Sequence, residues 1–231
     1  MPKYNRQVLD YERSVFSQNG EDGILEYLIK FTNKKTFVEI GWGEGITNNC
    51  KNLLVNNGFT GTGVDRMQGD FKHKRLTVAV RNLVSSDTSY IINLQGESPG
   101  VFSIDIDSID YYLLSNLIKA NFRPDIIVHE YNSIWGPKAT KVRQLKAPTD
   151  KCFHYGASLQ SYKNLLSPFY TFVTVDTNGV NAFWIRSDIN FTMPSQRLDF
   201  VRISNRYKAG KYSDEHHMSK NDGRWDDINL G

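Results

Sequence analysis

Four apolar runs in this sequence end in side chains able to do chemistry. Phe37-Val38 leads into Glu39, and Gly41, Gly43 and Gly45 follow at alternate positions. The run from Phe59 closes at Asp65, and the run from Val101 at Asp105 and Asp107. The run from Ile126 ends at His129 and Glu130, with Asn132 just beyond. As parallel strands of one open sheet, these runs would bring all of those side chains to one edge, where such sheets bind ligands.

The first two ends read as a cofactor site. Alternating glycines permit a tight turn and close approach of a ligand to the backbone. Asp65 lies at about the twenty-residue spacing at which dinucleotide folds place an acid on ribose hydroxyls. The pattern is not a phosphate loop, because no Gly-Lys-Ser/Thr follows. It also lacks the third glycine of G-x-G-x-x-G, where Ile46 stands. On these residues alone a dinucleotide, a different cofactor and a plain strand-to-helix turn all stay open.

On a strand, Asp105 and Asp107 would point to the same side. Two carboxylates so close are costly unless paired, protonated or metal-bound. The competing reading is that Asp107 caps the helix that follows. Asp105, Asp107, Glu130 and Asn132 together offer an all-oxygen donor set that suits Mg²⁺, although nothing in their spacing requires the ion. Asp107, Glu130 and His154 are the candidate acid–base groups, His154 because histidine titrates near neutrality. Structural roles compete with each: a loop hydrogen bond for Glu130, solvation for His154. His129 reads as buried and satisfied within its strand.

Helix-like and strand-like segments alternate, which predicts an α/β fold. Helices are expected over 21–31, 46–58, 85–95, 108–121 and 157–169, with Ser85 or Ser86 capping the third. Strands are expected over 36–40, 59–65, 75–80, 101–107 and 124–131. Two more, 170–176 and 180–186, flank Thr177-Asn178-Gly179 and predict an antiparallel hairpin. Residues 132–156 lack periodicity, and long connections of that kind are often functional. The domain is expected to span 1–192, with 193–231 a polar C-terminal extension forming a loose helix or an extended arm.

The chain has 231 residues, is 39% hydrophobic and 23% charged, and carries a net charge of +3, all ordinary for one globular domain. That charge is far from the footprint of a dedicated nucleic-acid binder. The two cysteines, Cys50 and Cys152, form no C-x-x-C and fit a reducing cytoplasm. No apolar run approaches a membrane span, and no signal-type segment opens the chain. A cytoplasmic site is expected; a homo-oligomer stays open.

Seven blocks, in order, carry a resemblance: FSQNGEDGIL from Phe16, FVEIGWGEG from Phe37, NNCKNLL from Asn48, FSIDIDSIDYYL from Phe102, VHEYNSIWGP from Val128, YGASLQSYKNL from Tyr155 and GVNAFWIR from Gly179. Across about residues 14–190 the chain resembles the FkbM-like methyltransferases. The resemblance implies a class I methyltransferase (Rossmann-like) doubly wound sheet, mostly parallel with a C-terminal antiparallel hairpin. It also implies S-adenosyl-L-methionine as cofactor and methyl transfer to oxygen of a sugar-linked acceptor in surface-polysaccharide biosynthesis. Carried across, Glu39, Gly41, Gly43 and Gly45 would cradle the methionine part, and Asp65 would hold the ribose. Asn49 would open the first helix after the turn. Gln18, Glu21 and Asp22 would close over the cofactor, and Asp105 would face it. The family usually has a small residue at Trp42, Gly at Ser108 and often Glu at Asp65.

An alcohol acceptor is a poor nucleophile, so a base or a metal is expected. Asn132 and Tyr155 are candidate acceptor contacts. In the long connection, Lys141 and Arg143, with Lys138 and Lys146 beside them, would hold a phosphate of the acceptor; a solvated basic face is the plain alternative. The rival readings are a nicotinamide-dependent oxidoreductase and an inactive binding subunit of the same fold.

Overall fold

A computed structural model describes residues 7–146, 155–193 and 225–227. In chain order it runs α1 (Glu21–Leu28), β1 (Thr36–Ile40), α2 (Lys51–Asn56), β2 (Thr60–Asp65), β3 (Leu76–Val80), α3 (Thr88–Asn93), β4 (Val101–Ile104), α4 (Asp110–Lys119) and β5 (Ile126–Glu130). Then follow β6 (Lys141–Arg143), α5 (Leu159–Leu166), β7 (Tyr170–Val175), β8 (Asn181–Arg186) and β9 (Trp225–Asp227).

The main sheet has the order β3-β2-β1-β4-β5-β8-β7. Its central strands pair in parallel, and β8 lies antiparallel to both β5 and β7. The expected doubly wound sheet finished by a hairpin is therefore present. Burial on both faces explains why the strands read as continuous apolar runs. Phe37, Val101, Ile126, Val128, Phe183 and Ile185 pack with α1 and α2 on one face. Val38, Ile40, Phe102, Ile104, Ile127 and Trp184 pack with α4 and α5 on the other.

Several boundaries differ from expectation. β4 stops at Ile104, so Asp105 and Asp107 are not on a strand, and Asp107 takes a left-handed φ of 55°. It does not cap α4: Asp110 accepts from Ile106 N–H at 2.8 Å and Ser108 N–H at 2.9 Å, and so shapes the acidic loop. The helix expected over 46–58 begins only at Lys51, because the Glu39 carboxylate draws off the preceding N–H groups. The N-cap position of α3 is Asp87 rather than either serine. Within 132–156 the chain forms a 3₁₀ turn at Ser133–Trp135 and then β6, which pairs antiparallel with β9 from the tail. The rest of the expected extension lies outside the described residues. Among the described residues, no helix is long and apolar enough to cross a membrane.

Candidate active site

A cleft of about 520 Å³ opens at the carboxyl ends of β1, β4 and β5. Its floor is the glycine turn from Gly41 to Glu44; Gly45, packed against Phe71, and Asp65 lie just outside the lining. Gly41, Gly43 and Gly45 all take left-handed φ values of 96°, 55° and 73°, which side chains with a β-carbon rarely adopt. A β-carbon on Gly41 would lie 1.8 Å from the Asp105 carbonyl oxygen, so this glycine also lets the β1 and β4 ends close together. Around Gly43 the corresponding space is open.

Two carboxylates hold the turn in shape. Glu39 is buried and accepts from Asn49 N–H at 3.0 Å and Cys50 N–H at 2.9 Å. Burial outweighs these bonds and pushes its pKa up to about 7. Asp65 accepts from Gly43 N–H at 2.8 Å and Met67 N–H at 3.0 Å. Each of its oxygens keeps a further lone pair for a ligand hydroxyl. Asn49 reaches across to Ser103 Oγ at 3.1 Å and lines the cleft, although it lies before α2 rather than inside it.

The N-terminal block forms one wall. Gln18 donates to Thr47 Oγ1 at 3.2 Å, and Glu21 accepts from Asn19 and from Asn181 Nδ2 on β8 at 2.8 Å. Gln18, Asn19, Glu21 and Asn181 face the cleft. Asp22 does not: it is fully buried, and one of its oxygens accepts from the N–H groups of Val15, Phe16 and Ser17 and from Ser17 Oγ. It shapes the wall from behind.

The opposite wall is acidic. Oxygen atoms of Asp105, Asp107 and Glu130 lie within 4.8 Å of one another, with Asp107 exposed and the others half-buried. Their convergence comes from the Asp105–Ser108 loop and not from strand alternation. Desolvation and then the neighbouring carboxylates hold Asp105 and Glu130 well above the usual carboxylate range. An all-oxygen set of this kind fits a hard divalent cation. Asn132 does not line the cleft. It is buried, and its side chain accepts from Ile134 N–H and donates to the Tyr155 carbonyl. Tyr155 thus sits one residue from Gly156, which adjoins the Glu130 carbonyl.

His129 is spoken for. Its Nε2 accepts from Trp184 Nε1–H at 2.9 Å, its Nδ1–H donates to the Glu130 carbonyl at 3.0 Å, and burial pushes its pKa down to about 3. His154 lies outside the described residues. The basic pair is not at the cleft: Lys141 donates to Asp227 at 2.7 Å, and Arg143 is only 3% exposed. Trp42 packs on the sheet, stacked on Phe37 at 6.0 Å and touching Phe71.

Sequence reasoning missed Asp110, Asn19, Asn181 and Glu44. Asn19 is tied across the fold by Asn178, and Asn181 to Glu21, links to which local periodicity is blind. Asp110 bonds within its own loop and had a local signal, an acid at the start of a helix. Glu44 had a signal, being the fourth residue of the glycine turn, and it lines the cleft.

The sheet order with its antiparallel β7–β8 hairpin is that of the class I methyltransferases. No protein-family model and no curated protein sequence matches the chain. Solved structures similar to it include the O-methyltransferase TomG from Streptomyces achromogenes in complex with S-adenosylmethionine, at 12% identity over 74% of this chain and 82% of that one, TM-score 0.44. An O-methyltransferase from Bacillus cereus in complex with S-adenosylhomocysteine shares 14% identity over 75% and 83%, TM-score 0.42. A cyclopropane-fatty-acyl-phospholipid synthase-like protein from Lactobacillus casei shares 17% over 68% and 70%, TM-score 0.44. The strand order, not these likenesses, defines the fold.

Proposed function

We propose that this chain is an S-adenosylmethionine-dependent O-methyltransferase. The observation that carries the proposal is the sign of the cleft. Glu21, Glu39, Glu44, Asp105, Asp107 and Glu130 line it, and no Lys, Arg or His does among the described residues. A dinucleotide pyrophosphate would meet uncompensated repulsion there, whereas a sulfonium with an α-ammonium group is drawn in. That sign separates the methyl-donor reading from the oxidoreductase reading, which shares the glycine turn and Asp65.

S-Adenosylmethionine, when bound, supplies a methyl group on a sulfonium for in-line displacement by an oxygen. The chain's own groups do the rest. Glu39, Gly41, Gly43 and Gly45 would cradle its methionine part, Asp65 its ribose, and Gln18, Asn19 and Glu21 would close the wall over it. Glu130, its pKa raised by burial and then by the neighbouring carboxylates, accepts the proton of the acceptor hydroxyl when ionised. Asp107, the most exposed of the three acids, orients that hydroxyl. A divalent cation held by Asp105, Asp107 and Glu130 would supply Lewis acidity to the same oxygen.

The FkbM-like resemblance adds the acceptor class: a sugar-linked hydroxyl of a surface polysaccharide or its precursor. Lys141 and Arg143 are engaged elsewhere in this structure, so the acceptor contact at the cleft is proposed for the hydroxyl itself and not for a phosphate. The test is transfer of a labelled methyl group to a panel of free and nucleotide-linked sugars, with Mg²⁺ or with a chelator. Methylation of any of these on oxygen supports the reading; chelator-resistant transfer would remove the metal from it. Tight cofactor binding with no transfer to any sugar would overturn the acceptor class.

A further inference from the structure

The amino ends of β1 and β2 carry a second cavity, at the opposite end of the sheet from the acidic cleft. It measures about 340 Å³ and lies between α1, the 3₁₀ turn after it and the entries to the two strands. Its charge is reversed. Arg13, Lys30, Lys34 and Lys35 line it, against one carboxylate, Glu26. Arg13 is paired with Glu26, and Lys34 donates to the Ser98 carbonyl at 2.7 Å. That leaves Lys30 and Lys35, both exposed and both without a carboxylate partner among the described residues.

The rest of the lining points the same way. Tyr11 and Tyr27 stack at 4.1 Å, and the Lys30 ammonium lies 5.5 Å from the Tyr27 ring centre and 5.9 Å from that of Tyr11. This cation–π contact leaves its charge formally unneutralised. The Thr32 hydroxyl, also in the lining, is buried with no hydrogen-bond partner. Two exposed lysines and an idle hydroxyl thus leave donors in a concave site with no carboxylate accepting from them among the described residues.

We propose that this cavity binds a phosphorylated small molecule, with Lys30 and Lys35 as the charge contacts and the Thr32 hydroxyl as a donor. Its volume suits a ligand of nucleotide size or smaller. The inference is independent of what the acidic cleft takes, since no described residue lines both cavities.

Calorimetric titration of the full chain at low salt tests it, first with inorganic pyrophosphate and then with uridine diphosphate. Saturable pyrophosphate binding is expected, unchanged by saturating S-adenosylhomocysteine. It should weaken at least tenfold in Lys30→Ala/Lys35→Ala and stay unchanged in Lys119→Ala, a control on the exposed side of α4. Tighter binding of uridine diphosphate would assign the site to nucleotides, and equal binding to the phosphate group alone. Absence of saturable binding, or an equal loss in Lys119→Ala, would overturn the proposal. Thermal unfolding of each variant separates loss of binding from loss of fold.

Discussion

The indole of Trp42 lies against Gly63 so closely that a β-carbon on Gly63 would sit 2.5 Å from the indole Cγ. Phe37 covers Gly61 in the same manner, at 2.3 Å. The Thr-Gly-Thr-Gly pattern of β2 is therefore a pair of seats for two rings, and the bulky residue inside the glycine turn is a packing residue. Gly63→Ala should destabilise the chain by about 1–3 kcal/mol through overpacking. Urea unfolding measures this, and a shifted tryptophan emission would report the displaced ring. A neutral substitution would mean that Trp42 is free to move.

Stability of the ligand-free chain should fall as pH rises from about 5 to 8. Burial pushes Glu39 and Asp176 each up to about 7. A carboxyl whose folded pKa exceeds its unfolded value favours the fold while protonated. That contribution is whole below the unfolded pKa and is lost as pH rises through the folded one. Desolvation and then the neighbouring carboxylates raise Asp105 and Glu130 as well, with the same sign. His129, pushed down to about 3 by burial, has the opposite sign and offsets one of these carboxyls up to about pH 6.5, its ordinary value. Asp87 and Asp188, lowered by their arginine partners, share that sign but titrate below this window. Urea midpoints across the range should decline by on the order of 1 kcal/mol per pH unit; a flat or rising profile would contradict the assignment.

Glu130→Gln should separate stability from function. Removing one of three converging carboxylates relieves repulsion, so at pH 8 the melting temperature should rise by a few degrees, about 2–4 °C per kcal/mol for a chain of this size. Methyl transfer should fall by roughly 10²–10⁴ if Glu130 is the base. A variant that melts lower and still works would place Glu130 among the structural residues.

Lys141 and Asp227 join the long connection to the tail strand. Their side chains are 25% and 62% exposed, so the pair contributes little. A double-mutant cycle of Lys141→Ala and Asp227→Ala should give a coupling of about 0.2–1 kcal/mol. A zero coupling with a raised acceptor KM for Lys141→Ala would instead return Lys141 to the acceptor.

The strands were legible because both faces are buried. Phe37-Val38-Glu39-Ile40 and Asn181–Arg186 alternate between two cores, and Asn178-Gly179 marks the turn that joins the last two strands. Asp105, Asp107 and Glu130 were legible as strand ends, although the reason for their convergence was not. The Asp105–Ser108 loop takes its shape from Asp110, a few residues on, and from the approach of Gly41 on another element, and only the second is long-range. The start of α2 depends on Glu39, eleven residues before Cys50 and on another element. β6 and β9 have three residues each and lie more than eighty apart in the chain, too short and too distant to leave a period.

The central claim is that the acidic cleft takes a cationic methyl donor. Calorimetric titration of the full chain with S-adenosylmethionine, S-adenosylhomocysteine and NAD tests it most directly. Saturable binding of the first two and none of NAD is predicted. Binding of NAD alone would contradict the account, and binding of none of the three would leave the fold without its cofactor.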